Sequence, residues 1–328
     1  MKVVHFDEPG SPEVLRLSEV PKPEIKKDEI LIRVDFAGIN RPDIVQRQGN
    51  YPPPPGHSAI LGLEVSGMIE ELGVQAADNF KIGDKVAALV DGGGYAEYCV
   101  ANVLQTFKIP NGLTLEQAAS IPECFFTAWS NLIKTGNVKS NHEVLIHGGT
   151  SGVGLASIQI LKLMKCKIYT TVGNDEKKKF CEKIGVDNII NYRKDDFFEK
   201  IKNSKNFKGL DLILDIVGAE YVMKNINLLN IEGKLINIAF QNGSKVELNL
   251  IKVMLKRLTI TGSTLRIRTK YYKNEILKDL TRNIFPYFEN NSIKCYIDSI
   301  YSINDIVKAH NYFEKGKHIG KVLLKIGG

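Results

Sequence analysis

The stretch "HGGTSGVGLASIQI", His147–Ile160, decides the fold of this chain. It directly follows the apolar run "EVLI", and it places four glycines within seven residues before the apolar pattern of a helix begins. A strand, a glycine-rich turn and a helix in this order predict a βα unit that binds phosphate. The middle glycine of the G-x-G-x-x-G pattern is Ser151 here. Because serine is small and can donate its hydroxyl, this change need not abolish binding.

The glycines of this loop have separate predicted roles. We expect Gly149 to make the tight turn, while Gly152 and Gly154 let the start of the helix lie close to phosphate and strand. Backbone N–H groups and the helix dipole would then face the anion. The alternative is a glycine turn that serves only to pack the helix against the strand.

The pattern around the loop extends this unit to a whole sheet. From about residue 140, helices alternate with six buried apolar strands, "EVLIHGG", "KIYTTVG", "NIINY", "GLDLILDIVG", "KLINIAF" and "RLTITGSTL". Continuous apolar strands separated by helices are typical of a parallel sheet covered on both faces. Six strands fit the two halves of a doubly wound dinucleotide-binding domain.

The first 110 residues or so follow a different pattern. Short alternating strands such as "EILIRVDFAGI" are bounded by Gly, Pro and Asp-Asn, which predicts a small, mostly antiparallel barrel. Thr114 and Gln117 form a capping box that opens a helical linker. The tail "IYSINDIVKAHNYFEKGKHIGKVLLKI" predicts one amphipathic helix and a final strand, and we expect it to return to the barrel.

Composition limits the classes of function. The chain has 328 residues, of which 43% are hydrophobic and 25% charged, as in soluble globular proteins. No run approaches the ~20 apolar residues of a membrane span, and the start lacks a secretory signal, so we expect a cytoplasmic protein. The net charge of +7 comes from scattered lysines, which makes nucleic-acid binding unlikely but suits a small anionic ligand. The five cysteines form no cluster, so we expect free thiols and no structural zinc.

The end of the second strand of the sheet, "TTVGNDEKKK", bears on the choice of cofactor. NAD sites place an acid about 20 residues past the glycine loop to bind the ribose hydroxyls. Gly173 and Asn174 are neutral here, and Lys177 follows in the next helix, so the pattern favours NADPH with its 2′-phosphate. We interpret Asp175 and Glu176 as acids of the first helical turn. A ribose contact by one of them is the alternative.

Several motifs together resemble a known family. They are "AGINRPDIVQRQGNYPPPPG", "LGLEVSG", "KIGDKV", "GGGYAEY", "AASIPECFFTAW", "VLIHGGTSGVG" and "AHNYFEKGKHIGKVLL". With them the chain resembles the zinc-independent quinone oxidoreductases of the medium-chain dehydrogenase/reductase superfamily, specifically the p53-inducible branch. The resemblance implies an α/β fold in which a Rossmann doubly wound parallel sheet accompanies a GroES-like, mostly antiparallel β-barrel. The implied boundaries are 1–122 with 268–328 for the GroES-like substrate domain and 123–267 for the Rossmann domain.

The resemblance also has consequences for metal and mechanism. The alcohol dehydrogenases of the superfamily hold a catalytic zinc with a cysteine and a histidine, at positions that here carry Asn40 and Leu63. Without that Lewis acid, the family chemistry implied is hydride or electron transfer from NADPH to an electron-poor acceptor such as a quinone or an enone. A homodimer through the edge of the Rossmann sheet is implied as well.

The candidate catalytic residues implied are Tyr51, Asn40 and Ser151. Tyr51 also has a physical argument, because it precedes a stiff run of prolines and its phenol could donate to a quinone oxygen. The alternatives are that Tyr51 packs on the barrel and that Tyr192 packs at a strand end. His57 and His147 lack evident partners and are weak acid–base candidates. Together with the loop and the strand end, the resemblance gives this set around the cofactor: Asn40, Thr127, Gly149, Ser151, Gly152, Val153, Gly154, Gly173, Asn174, Lys177, Tyr192, Val217, Thr264, Leu265 and Arg266.

Two other functions remain open at this point. An enoyl-thioester reductase could use the same scaffold with a longer cleft. A redox sensor or structural protein could bind NADPH with little turnover. Turnover with an ortho-quinone separates the last of these from an enzyme.

Overall fold

The computed structural model describes residues 1–327, which form two compact units. The first unit contains Met1–Phe126 and Arg266–Gly328, and the second contains Thr127–Leu265. The chain therefore leaves the first unit, completes the second, and returns to the first.

The first part of the first unit is rich in strands. Its strands are β1 (Lys2–His5), β2 (Arg16–Glu19), β3 (Glu29–Ile39), β4 (Glu64–Leu72), β5 (Lys85–Leu89), β6 (Tyr98–Asn102) and β7 (Thr106–Lys108). Its helices are α1 (Arg41–Arg47) and α2 (Leu115–Ala118), and α3 (Pro122–Trp129) carries the chain onward. The predicted capping box is confirmed at α2, where the Thr114 N–H donates to Gln117 Oε1 over 2.9 Å.

The second unit alternates strands and helices. Its strands are β8 (Glu143–His147), β9 (Lys167–Val172), β10 (Asn188–Asn191), β11 (Leu210–Asp215), β12 (Leu229–Asn237) and β13 (Thr259–Gly262). Its helices are α4 (Gly152–Leu163), α5 (Asp175–Lys183), α6 (Phe197–Lys202), α7 (Tyr221–Leu228) and α8 (Leu250–Lys256).

The C-terminal part of the first unit contains α9 (Lys270–Asn283), α10 (Phe285–Glu289), β14 (Ile297–Ser302), α11 (Ile306–Glu314) and β15 (Lys321–Lys325). The sequence patterns did not predict α9, α10 or β14. Within residues 1–327, no helix is long and apolar enough to cross a membrane.

The sheet of the second unit confirms the predicted doubly wound topology. Its six strands are all parallel, in the order β10-β9-β8-β11-β12-β13. The strand order reverses between β8 and β11, so the loops at the carboxyl ends of these two strands meet at the switch point, where such sheets bind ligands. The strands read as apolar runs because both faces are buried; Val144, Leu145 and Ile146 are fully buried.

The sheet of the first unit has seven strands and is antiparallel except where β14 pairs with β15. Its central strand β3 pairs with β4, β6 and β15. Val322 lies opposite Ile39, and Leu324 lies opposite Ala37, in one apolar core. The final strand therefore returns to the first unit, as predicted.

Two predicted segments differ from the structure. The first 110 residues contain the helix α1, which the strand pattern did not predict; it spans seven residues and buries Asp43 and Arg47 beside Ile44, so no apolar periodicity marks it. The predicted helical linker continues beyond α3 as a π-helix over Ser130–Thr135, in which the Gly136 N–H donates to Asn131 O over 2.8 Å.

Gly67 in β4 provides a test of how closely β3 and β4 approach. A Cβ at Gly67 would lie 2.0 Å from Arg33 O and 3.0 Å from Val34 Cα, and backbone atoms cannot yield without breaking the ladder. We expect Gly67→Ala to destabilise the protein by roughly 1–3 kcal/mol, measured as a lower Tm. Gly262→Ala is the control, since its nearest neighbour would be Asn237 O at 3.4 Å. Equal Tm changes for the two variants would contradict this account.

Candidate functional site

The turn between β8 and α4 is built from close backbone approaches. Gly148 has a φ of +74°, so the left-handed residue of the turn is Gly148, and Gly149 follows it within the same turn. Gly149 is needed for a different reason, because a Cβ there would lie 2.1 Å from Thr170 Oγ1. A Cβ at Gly154 would lie 2.3 Å from Gly148 O. These approaches hold the start of α4 tightly against the sheet.

Ser151 is the N-cap of α4. Its backbone is extended, with φ −70° and ψ 162°, and its Oγ accepts the Gly154 N–H over 3.0 Å. The hydroxyl hydrogen stays available to donate. Within residues 1–327, the N–H groups of Gly152 and Val153 have no acceptor. Free N–H groups at the positive end of a helix are suited to bind an anion.

The end of β9 carries the second group of candidates. Asn174 caps α5, because its Oδ1 accepts the Lys177 N–H over 2.8 Å. The carboxylate of Asp175 accepts from Lys194 Nζ at 2.5 Å and from Asn191 Nδ2 at 2.8 Å. These two bonds, that of Lys194 first, lower the pKa of Asp175. The acid is thus engaged with the end of β10, in agreement with its interpretation as a residue of the first helical turn.

Gly173 and Tyr192, far apart in sequence, lie side by side. A Cβ at Gly173 would lie 2.8 Å from Tyr192 Oη, so any side chain at this position would displace the phenol. Tyr192 is 44% exposed, which argues against simple packing at the strand end. Arg193 follows it, and its exposed guanidinium has no partner among residues 1–327. The sequence patterns did not single out Arg193, because nothing local distinguishes it from other surface bases.

Both histidines have partners, contrary to the expectation from the sequence. His147 is buried, with Nδ1 3.1 Å from Thr171 Oγ1 and Nε2 2.9 Å from Asn225 Oδ1. Burial lowers the pKa of His147, so this imidazole is a neutral, structural residue. His57 has its Nδ1 3.7 Å from Asp91 Oδ2. The partners were missed because they are distant in sequence.

The carboxyl end of β11 is organised by the buried Asp215. Its carboxylate accepts the Val217 N–H over 2.7 Å, Asn237 Nδ2 over 3.0 Å and Asn225 Nδ2 over 3.2 Å. Val217 is therefore held on a fixed turn at the switch point. Other predicted cofactor residues of this unit lie on α3 and after β13: Thr127, Thr264 and Leu265.

The first unit contains a buried polar cluster of Asn40, Glu64 and Lys321. Lys321 Nζ lies 2.6 Å from Glu64 Oε1 and 2.6 Å from Asn40 Oδ1, and it donates to Ile39 O over 3.1 Å. Asn40 Nδ2 donates to Glu64 Oε1 over 2.9 Å. The three N–H bonds of the ammonium are all used. Both ends of the Asn40 amide are used too, so a ligand would have to share them.

Asn40 and Leu63 are the residues that the resemblance sets against the zinc ligands of alcohol dehydrogenases. Asn40 is engaged as described, and Leu63 is a buried apolar residue. The positive charge beside Asn40 is the ammonium of Lys321. Within the described residues 1–327, no group of three or more His, Cys, Asp or Glu could hold a metal ion.

Tyr51 lies over a fixed guanidinium. Its ring centroid is 5.6 Å from Arg266 Cζ, and Arg266 donates twice to Asp91 O and once to Gln46 Oε1 over 2.7 to 3.0 Å. Arg266 is thereby held within the first unit. Burial, and next the carboxylate of Glu123, raise the pKa of Tyr51. The phenol is a neutral hydrogen-bond donor at physiological pH.

Comparison with known proteins gives the family. Residues 26–111 match the family described as alcohol dehydrogenase GroES-like domain, and residues 152–280 match zinc-binding dehydrogenase. Human quinone oxidoreductase is 33% identical over 327 residues, which cover 99% of this chain and 97% of that protein. The chain belongs to the quinone oxidoreductase family. This confirms the predicted medium-chain dehydrogenase/reductase superfamily and the fold class, a GroES-like antiparallel domain with a six-stranded parallel Rossmann sheet.

Solved structures of other proteins share this fold. Escherichia coli quinone oxidoreductase complexed with NADPH is 27% identical, with a TM-score of 0.88, and covers 99% of this chain and 100% of its own. CurK enoyl reductase reaches a TM-score of 0.87 at 23% identity, covering 99% of both chains. At that identity the second comparison shows the fold alone. The quinone oxidoreductase scaffold thus coincides with that of an enoyl reductase.

The buried ion pair of the first unit provides the second test. Removing the ammonium in Lys321→Met leaves the Glu64 carboxylate buried without a counter-charge, and we expect a loss of roughly 3–5 kcal/mol, measured by chemical denaturation. Adding Glu64→Gln should recover part of the loss, because the unpaired charge is then gone. Lys325→Met is the control on the same strand, since Lys325 is exposed. A Lys321→Met protein as stable as the control would show that the pair is not needed.

Proposed function

We propose that this protein is an NADPH-dependent quinone oxidoreductase that reduces a quinone or a related electron-poor acceptor without zinc. The observation that carries the proposal is the Ser151-capped glycine turn with its free Gly152 and Val153 N–H groups. At the end of β9, Gly173 and Asn174 carry no acid, and Asp175 beside them is bonded to Lys194 and Asn191. The family and the E. coli relative complexed with NADPH support it.

The residues of the second unit fit the cofactor. The N–H groups of Gly152 and Val153 would bind the pyrophosphate, and the Ser151 hydroxyl can donate to the same anion. Tyr192 and Lys177, beside Gly173 and Asn174, would bind the adenosine 2′-phosphate, since Asp175 is engaged elsewhere. Gly149 and Gly154 would serve this site by holding the turn and the start of α4 close to the sheet. The remaining predicted contacts along the cofactor are Asn40, Thr127, Val217, Thr264, Leu265 and Arg266.

The residues of the first unit fit the acceptor. NADPH supplies a hydride when it is bound. As charge develops on the acceptor, the neutral Tyr51 phenol would donate a hydrogen bond to its oxygen. Asn40, with its amide bonded to Glu64 and Lys321, would act by positioning, and Arg266 would fix the angle of the Tyr51 ring. No step needs a metal ion, because quinones are already electron-poor.

The branch, assembly and compartment complete the proposal. The motif "NRPDIVQRQGNYPPPPG" supports the p53-inducible branch. Helix α8 exposes Leu250, Ile251, Met254 and Leu255, each at least 60% accessible, and β13 is an edge strand. Exposed apolar surface near a sheet edge favours association, and we infer a homodimer. We further expect the protein to be cytoplasmic.

The test of this function is NADPH oxidation scanned over ortho-quinones, enones and enoyl-CoA. We expect the fastest turnover with quinones and no effect of a chelator. Preference for enoyl-CoA would favour an enoyl-thioester reductase instead, and tight NADPH binding without turnover of any acceptor would favour a sensor.

Lys177 tests the choice of cofactor. A charge-assisted hydrogen bond contributes about 1.5–3 kcal/mol, so Lys177→Ala should weaken NADPH binding roughly ten- to hundredfold. NADH has no 2′-phosphate, and its affinity should change little. The control is Lys179→Ala on the exposed face of the same helix. Calorimetric titration of wild type and variant with both cofactors measures these affinities. Equal losses of affinity for NADPH and NADH would indicate that an acid of α5 binds the ribose.

Tyr51 tests the acceptor side. Removal of its hydroxyl in Tyr51→Phe should lower kcat with quinone about tenfold, on the scale of one hydrogen bond, while NADPH affinity is kept. Tyr271→Phe is the control, because Tyr271 is 66% exposed on α9 of the same unit. Steady-state kinetics that match wild type would leave Tyr51 with a packing role only.

A further inference from the structure

A groove on the second unit is formed by α6, α7, α8 and the loop that follows α6. Its volume is about 360 Å³, which lies in the range of small-molecule sites. Its apolar lining includes Phe198, Phe207 and Leu255. Three lysines and no acid are among the residues that line it. The groove therefore combines an apolar surface with positive charge.

The groove lies at the end of the sheet away from the glycine turn. Its lining includes residues that come just before β11, β12 and β13, namely Phe207, Leu228 and Lys256. These three strands and β8 are parallel, so the groove lies at their amino ends. The turn that carries Ser151 follows the carboxyl end of β8. The groove is thus separate from the turn to which the cofactor pyrophosphate is assigned.

No carboxylate neutralises the lysines of the groove. Within residues 1–327, Lys202, Lys252 and Lys256 form no ion pair. Lys252 Nζ donates to Asn227 Oδ1, and Lys256 Nζ donates to Asn227 O over 3.2 Å and to Leu229 O over 2.6 Å. All of these acceptors are neutral. Burial, and next the charge of Lys252, lower the pKa of Lys256, as expected for two cations that lack an anion between them.

Polar donors and aromatic rings lie side by side in this groove. Lys202 Nζ is 5.5 Å from the centroid of the Phe198 ring. Asn227 accepts from Lys252 through its Oδ1, whereas its Nδ2 has no acceptor within the part of the chain that the structure describes. An anion in the groove would therefore find ammonium groups and an amide N–H beside an apolar surface.

The loop after α6 adds to the positive charge. From 200 to 209 the chain contains four lysines and no acid. Two of them, Lys205 and Lys208, are exposed on either side of Phe207 in the sequence. The preceding residue Glu199 is exposed and accepts Asn203 Nδ2 over 3.3 Å, and it does not line the groove. This acid therefore does not compensate the lysines of the groove.

We propose that the groove binds an amphipathic carboxylate, an anion that carries an apolar chain. The carboxylate would accept from the ammonium groups of Lys202 and Lys252 and from Asn227 Nδ2, while the chain would cover Phe198 and Phe207. A small inorganic anion would leave the rings exposed, and a neutral lipid would leave the lysines without a counter-charge. This site is additional to the cofactor and acceptor sites and does not depend on the proposed reaction.

The first test compares three ligands that share one chain and differ in charge: octanoate, octanol and octylammonium. Because the chain contributes equally to all three, differences in affinity report the charge of the groove. Calorimetric titration should show one octanoate bound per chain, with octanol about tenfold weaker and octylammonium weaker still. The affinity for octanoate should be the same with and without saturating NADPH.

Three results of this titration would overturn the proposal. They are equal affinity for the three ligands, no binding of octanoate at millimolar concentration, and loss of octanoate binding when NADPH or a quinone is added. The last result would assign octanoate to the cofactor or acceptor site. Failure of the protein to turn over quinones would overturn the proposed function but would leave this site standing, because the titration needs no turnover.

Variants locate the site within the second unit. Lys252→Gln removes the charge but keeps an amide that can donate to Asn227, and it should weaken octanoate about tenfold, the low end for a charge-assisted hydrogen bond. Its affinity for octanol should be unchanged. The control is Lys183→Gln, which removes the same charge from the last turn of α5, outside the groove.

Equal octanoate affinities for Lys252→Gln and Lys183→Gln would overturn the assignment to the groove, because net charge alone would then account for binding. Lys252 is exposed, so we expect its variant to fold with an unchanged Tm. If it does not fold, Lys202→Gln replaces it and should show the same tenfold loss. Leu255 is left unchanged in these variants, since it also belongs to the exposed surface of α8 from which the homodimer is inferred.

Discussion

The contact between Lys321 and Glu64 is the interaction on which the first unit depends. An ammonium and a carboxylate 2.6 Å apart, with side chains 5% and 0% exposed, can be buried only because each satisfies the other. Lys321 lies in the last strand and Glu64 in β4, and the ammonium also holds Asn40 at the end of β3. The pair therefore joins the C-terminal segment to strands more than 250 residues earlier, and it reinforces the apolar pairing of β15 with β3.

The same pair determines the charge state of its neighbours. One ammonium cannot compensate Glu64, Asp43 and the partly buried Glu123 together, so the three acids differ according to the donors that each receives. Glu64 has the ammonium. Asp43 has two backbone N–H groups and a phenol, and burial still raises its pKa to about 6. The Glu123 carboxylate has no hydrogen-bond donor, and its pKa is raised further than that of Asp43, to about 8. The hydrogen bonds that each of these acids accepts, rather than its residue type, therefore determine how far its pKa is raised.

The sequence predicted those parts of the fold that depend on local pattern. The stretch "EILIRVDFAGI" coincides with β3, Glu29–Ile39, and the six apolar runs of the second unit are its six strands, because burial on both faces leaves a continuous apolar signal. Helix α1 and the π-helix were not predictable in this way. In α1 buried polar residues replace the apolar stripe, and in the π-helix an i to i−5 bond has no sequence signature.

The same distinction between local pattern and tertiary structure applies to the residues of the candidate site. Ser151 and Asn174 cap their helices by accepting the backbone N–H of the residue three positions later in the chain. Residue type and spacing were therefore enough to place them. The neighbours Gly173 and Tyr192 could be brought together only by the pairing of β9 with β10. The partners of Lys321 and of His147 lie in other strands and helices. Charge, burial and hydrogen bonding of those groups are therefore properties of the tertiary structure.

The glycine loop shows why a serine is tolerated in a dinucleotide-binding pattern. At position 151 the backbone is extended with a negative φ, which any residue adopts, and the side chain gains a cap by being serine. Glycine is required where a Cβ would collide, as at Gly149 with Thr170, or where φ is positive, as at Gly148. The loop is thus constrained by the distance between its backbone and the sheet. The identity of a residue in the motif matters only at the positions that determine this distance.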